Sequence, residues 1–153
     1  MEGLKLKYLN TEEFPDRKVF CKLQEKTKFQ EVDYMNMTKQ CVGGLLKHGK
    51  PIPEITTAMF IYNSPEDLDS YKAWVGYIVP DTVEEEGFLN VILKGAKYAL
   101  FEFTDDMSRY GEAYMYIYGR WMQENNKKPI LAVPSYEQYN VNHSKTIIGV
   151  PVE

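Results

Sequence analysis

The chain runs through the same order of elements twice, and this repetition limits its fold more than any single motif. A strand pattern at residues 18–23 leads into a helical pattern from about Phe29 to Lys47. That helix stops at His48-Gly49, ahead of Pro51 and Pro53. Strand patterns follow at 57–62 and 71–79, joined by the turn formers Asn63-Ser64-Pro65-Glu66-Asp67. After the acidic segment 81–86 the order returns. Strand patterns at 89–93 and 97–103 turn at Gly95, and a helix runs from Asp105 or Asp106 to Asn125, with Thr104 or Asp105 as its cap. Asn125-Asn126-Lys127-Lys128-Pro129 stops it, and strands at 136–141 and 146–152 close the chain.

The two rounds agree in register. Counted back from Pro53 and Pro129, Tyr34 falls opposite Tyr110, Thr38 opposite Tyr114 and Leu45 opposite Trp121. Counted forward with a slip of one residue, Phe60-Ile61-Tyr62-Asn63 falls opposite Glu137-Gln138-Tyr139-Asn140. The expectation is an α+β fold built from a duplicated β-α-β-β unit, packed about a pseudo-twofold axis. Residues 1–153 read as one domain, with repeat one at about 1–80 and repeat two at about 87–153. A cleft is expected where the halves meet.

The segment Ser135-Tyr136-Glu137-Gln138-Tyr139-Asn140 reads as an aromatic strand bounded by Pro134 and by Asn142-His143-Ser144. Side chains alternate along a strand, so Glu137 and Tyr139 share one face, and Tyr136 and Gln138 the other. An inward Glu137 needs a partner, because a buried charge is expensive when unpaired. A protein cation would make it structural; a bound ligand would make it functional. The second helix carries Met107, Tyr110, Tyr114, Ile117 and Trp121 at spacings of three and four, and the first carries Tyr34, Met37, Cys41 and Leu45. Ile117 and Trp121 read as core. Tyr110 and Tyr114, with their hydroxyls, suit either a core or a cavity wall.

Composition narrows the classes. The 12 tyrosines bring hydroxyls that need partners, which fits an amphipathic cavity, an interface or a tyrosine-rich sheet surface. A net charge of −4, with no Lys/Arg cluster, argues against a general nucleic-acid surface. Cys21, Cys41, His48 and His143 stand in no metal-ligand spacing, so no metal site is expected. There is no secretory leader pattern and no membrane-spanning run, so the chain reads as cytoplasmic, with both thiols reduced.

Taken together, Lys97-Tyr98-Ala99-Leu100-Phe101-Glu102-Phe103, the helix ending in Trp121, and Tyr136-Glu137-Gln138-Tyr139-Asn140 resemble the GyrI-like small-molecule-binding family. This is the effector-binding domain also attached to AraC-type and MerR-type regulators. The resemblance implies antiparallel sheets wrapped into a barrel-like cup with two long helices outside, an architecture shared with the haem-binding SOUL proteins. It implies a ligand-facing Glu137, with Tyr139, Tyr110 and Tyr114 beside it and Phe60, Tyr62 and Tyr34 on the opposite wall. No cofactor is expected. The chain departs from the Gly-Pro-Tyr helix entry common in the family, having Lys28-Phe29 and Arg109-Tyr110 instead.

Three functions are compatible with these readings. One is a stand-alone binder of aromatic or cationic lipophilic molecules, held by charge and by cation–π contacts; no stretch is left over for a DNA-reading helix-turn-helix. A second is a hydrolase of electrophilic, cyclopropanoid-type ligands, with Glu137 as general acid or base and Tyr110 and Tyr114 assisting. A third is a protein-interaction role, as toxin antagonist or gyrase modulator. Haem fits poorly, because His48 falls at a helix end and His143 in a turn.

Overall fold

The computed structural model describes residues 3–28, 32–64, 67–140 and 145–153, with the side chains of residues 26, 27, 62–64 and 67–69 left aside. Eight strands and two main helices alternate: β1 (Leu6–Phe14), β2 (Arg17–Thr27), α1 (Tyr34–Lys47), β3 (Thr56–Ser64), β4 (Asp67–Ile78), β5 (Leu89–Leu93), β6 (Ala96–Phe103), α2 (Tyr110–Tyr116), β7 (Ser135–Tyr139) and β8 (Thr146–Val152). The strands form a single antiparallel sheet in the order β1-β6-β8-β7-β3-β4-β2-β5. The predicted α+β class and strand–helix–strand–strand rounds are present, in one sheet that does not close.

The order reads the same from either end. β6-β8-β7 from the second round meets β2-β4-β3 from the first at the β7–β3 junction, where Ala58 lies opposite Glu137. The outermost strands are exchanged. β1, from the first round, pairs with β6; β5, from the second, pairs with β2. This exchange rolls the sheet. Phe14 ends β1 at one edge and Arg17 begins β2 near the other, and their link spans at most about 11 Å. The link from Leu93 to Ala96 imposes the same limit in the second round. The two links touch, with Gly95 N–H donating to Asp16 Oδ1 at 2.6 Å. A Cβ on Gly95 would sit 2.9 Å from Phe14 O, so only glycine passes there without displacement. The resulting cup buries both faces of the sheet.

Sequence reading missed β1. Its burial alternates poorly because it is an edge strand with most side chains exposed, and its pairing shifts between Tyr8 and Asn10. α1 begins at Tyr34, capped by Asp33, whose Oδ1 accepts from Asn36 N–H at 3.3 Å. The expected start at Phe29 falls among residues 29–31, outside the described residues, as does part of the 63–67 turn.

The second helix is not the uniform α-helix expected. Asp106, rather than Thr104 or Asp105, caps it, accepting from Ser108 N–H at 2.9 Å. A 3-10 turn (Met107–Arg109) leads into α2, a π-helical turn (Ile117–Trp121) follows, and Met122–Glu124 finishes it. The π turn widens the spacing, so that Ile117, Trp121 and Met122 all reach the sheet. Met107 leaves the predicted stripe and is 44% exposed. On the same face, α1 buries Met37, Cys41 and Leu45. Cys21 lies on the opposite face of the sheet from Cys41, and both thiols are free and buried. Burial pushes each thiol up to about 12.

Candidate functional site: a buried carboxyl among tyrosines

β7 places Glu137 at the junction of the two rounds, on the face covered by both helices. It is 0% exposed. Its Oε2 accepts a hydrogen bond from the Tyr114 hydroxyl at 2.8 Å, and its Oε1 has no hydrogen-bond partner among the described residues. The ion pairs among the described residues involve Glu85, Arg109 and Arg120, and none reaches Glu137. Burial pushes its carboxyl up to about 8, and the Tyr114 hydroxyl opposes that rise.

The predicted companions gather around it. Tyr139, two residues along β7, shares its face and meets Tyr34 of α1 edge-on, with centroids 6.0 Å apart. Tyr34 in turn meets Phe60 of β3 edge-on at 6.3 Å. The buried Tyr34 hydroxyl has no hydrogen-bond partner among the described residues. From α2 come Tyr114 and Tyr110, the latter sharing a 2.8 Å hydrogen bond with Thr146 Oγ1 on β8. Burial, and then the nearby Glu137, holds Tyr34, Tyr110 and Tyr114 above the usual phenol range, Tyr110 at about 12. Tyr139 rises for the same reasons. The side chain of Tyr62 lies outside the described residues.

Two features were not read from the sequence. Tyr118 stacks beside Tyr114 at 6.5 Å, extending the aromatic wall through the π turn. Arg109, at the atypical helix entry, is anchored by Asp105, which also accepts from Lys5 N–H at 2.9 Å and so ties the helix start to the chain just before β1. The i,i+4 spacing from Asp105 to Arg109 was legible; the tie to Lys5 was not.

Other candidates lie elsewhere. His48 pairs with Glu85 at the end of α1, and His143 is outside the described residues. Among the described residues no group of three or more His, Cys, Asp or Glu side chains could hold a metal ion. No described helix is long and apolar enough to cross a membrane. A separate apolar cleft of about 260 Å³ lies between residues 50–53 and 78–83 and contains none of the clustered tyrosines.

Comparison with known proteins gives this two-round cup, with its carboxyl buried at the seam, a family. The GyrI-like small molecule binding domain matches residues 23–152, and the chain belongs to that family. The fold is shared with the C-terminal domain of EcmrR (TM-score 0.73, 15% identity, 95% of this chain and 98% of that one). It is also shared with SAV2435 bound to tetraphenylphosphonium (TM-score 0.60, 12% identity, 95% and 93%). A third likeness is to a hydrolase from Listeria innocua (TM-score 0.65, 10% identity, 99% and 94%). At such identities these likenesses speak for the fold. No curated protein matches the sequence.

Proposed function

We propose that this protein binds lipophilic aromatic cations at the seam of its two rounds, with Glu137 as the counter-charge. The observation that carries this reading is a fully buried carboxyl that has no protein cation beside it and one oxygen left without a partner among the described residues. A structural carboxylate kept ionised in such a place needs a Lys or Arg. A ligand cation would supply that charge, and the rings of Tyr34, Phe60, Tyr110, Tyr114 and Tyr139 would each add about 0.5–2 kcal/mol of cation–π attraction where a face is presented. The neighbour SAV2435, bound to tetraphenylphosphonium, makes that cation a natural first probe.

The test is a calorimetric titration with tetraphenylphosphonium and with neutral triphenylphosphine oxide, on wild type and Glu137→Gln. The expected result is saturable binding of the cation, weakened far more by the substitution than binding of the neutral compound. Equal loss for both compounds, or no loss, removes Glu137 from the site.

A hydrolytic reading is favoured by one observation. A carboxyl near 8, hydrogen-bonded to Tyr114, suits general acid or base work at neutral pH. Incubation with electrophilic cyclopropanoid compounds, followed by mass spectrometry, tests it: turnover adds one water per ligand and is lost in Glu137→Gln.

A further inference from the structure

Resting on the binding reading above, we propose that the site exchanges a proton for its cation: the empty site holds Glu137 as the neutral acid, and an entering monocation displaces that proton to bulk solvent.

The geometry requires some such device. Among the described residues, the elements packed against Glu137 face it with neutral groups. α1 supplies the Tyr34 hydroxyl, α2 supplies those of Tyr110 and Tyr114, β7 supplies Tyr139, β3 presents Ala58, and β8 presents Ile148. An ionised carboxylate there would have one hydrogen bond from the described residues, at Oε2, and no counter-charge. A buried charge so poorly solvated is neutralised by protonation. The tyrosines are poor sources of the proton, because the same burial holds their hydroxyls above the usual phenol range. When a cation enters, the pair of charges replaces the neutral acid. The carboxyl O–H bond breaks heterolytically, the electron pair stays on the carboxylate, and the proton passes to solvent buffer. The site is neutral before and after, so its net charge does not change on loading.

The consequence is an affinity that depends on pH in one direction. Only the ionised fraction is competent for a cation, and apparent affinity scales with that fraction. With the carboxyl near 8, tetraphenylphosphonium should bind about thirtyfold more weakly at pH 6.5 than at pH 9.5. Triphenylphosphine oxide should show no such dependence.

The experiment is calorimetry with tetraphenylphosphonium in buffers of different ionisation enthalpy, at pH 6.5 and pH 9.5. Release of about one proton per cation at the lower pH and about none at the higher supports the exchange. Glu137→Gln should release none at either pH. Infrared spectroscopy of the ligand-free protein at neutral pH adds an independent reading: a carboxylic-acid C=O band that tetraphenylphosphonium abolishes, and that Glu137→Gln lacks. Tight binding without proton release overturns the exchange and leaves the binding reading intact. Absence of binding at every pH overturns both.

Discussion

Adjacent residues of one strand, Tyr136 and Glu137, look into two different buried environments. On the Tyr136 side, Arg17 lies across three rings, its Cζ 4.3 Å from the centroid of Phe14, 4.9 Å from Tyr136 and 5.6 Å from Tyr98. On the Glu137 side a carboxyl lies among Tyr34, Tyr110, Tyr114 and Tyr139, with no cation among the described residues. A guanidinium and a carboxyl thus sit on the two sides of one sheet and do not pair, because the backbone lies between them. The cation is already stabilised by aromatic faces, which attract positive charge. The carboxyl is not, because an aromatic face repels negative charge and one tyrosine hydroxyl does not replace a hydration shell. The two surroundings contain similar residues, but the sign of the charge decides how the rings act on it: they attract the guanidinium, whose Nε and Nη2 are buried without hydrogen-bond partners among the described residues, and they do not attract a carboxylate.

The largest test of this contrast is the pH dependence of stability. The folded carboxyl is raised from its ordinary 4.5 to about 8, so the folded state retains a proton that the unfolded chain releases in between. Stability should therefore fall as pH rises through that window and level off above it. Relative to Glu137→Gln, wild type should lose roughly 3–5 kcal/mol between pH 4 and pH 9, measured by chemical denaturation without ligand. A flat difference would mean that a partner already compensates the charge, and the contrast between the faces would vanish.

Arg17→Ala should destabilise the protein by about 1–3 kcal/mol, through lost ring contacts and stem packing. It should leave tetraphenylphosphonium affinity unchanged, since Arg17 is on the far face. A matching loss of affinity would show that the two environments communicate through β7.

A substitution at Gly149 probes the crowding on the Tyr136 side. A Cβ there would fall 2.3 Å from the Tyr136 ring, so Gly149→Ala should cost about 1–3 kcal/mol. Pairing it with Tyr136→Ala should relieve the clash, read as a coupling in a double-mutant denaturation cycle.

The last test is Tyr114→Phe, which removes the donor to the buried Glu137 Oε2 and should cost about 1–3 kcal/mol. Because that hydroxyl lowers the carboxyl's proton affinity, its removal should move the pH transition above 8. An unmoved transition would take Tyr114 out of the site.

The Glu137 side of this comparison was the legible one. Period-two alternation put Glu137 and Tyr139 on one face, and helical spacing put Tyr110 and Tyr114 on another; neither needs long-range information. Arg17 was not legible. It stands in a polar stretch between Asp16 and Lys18, and only the rolled sheet brings Phe14, Tyr98 and Tyr136 around it. The alternation also implied a simpler sheet than the one formed. Tyr136, expected on the other face from Glu137, is there, but that face is buried as well.

What the sequence determined by itself is local: two rounds of strand, helix and paired strands, ended by Pro53 and Pro129, and the identity of the residues on each repeating face. Backbone periodicity and turn chemistry act over a few residues, so they can be read in order along the chain. The exchange of β1 and β5, the curvature it forces, the π turn that lets Ile117, Trp121 and Met122 all reach the sheet, and the absence of a cation at Glu137 among the described residues were decided only in the folded molecule. Each depends on which distant segments meet, and burial and electrostatic compensation are properties of that meeting rather than of any stretch of chain.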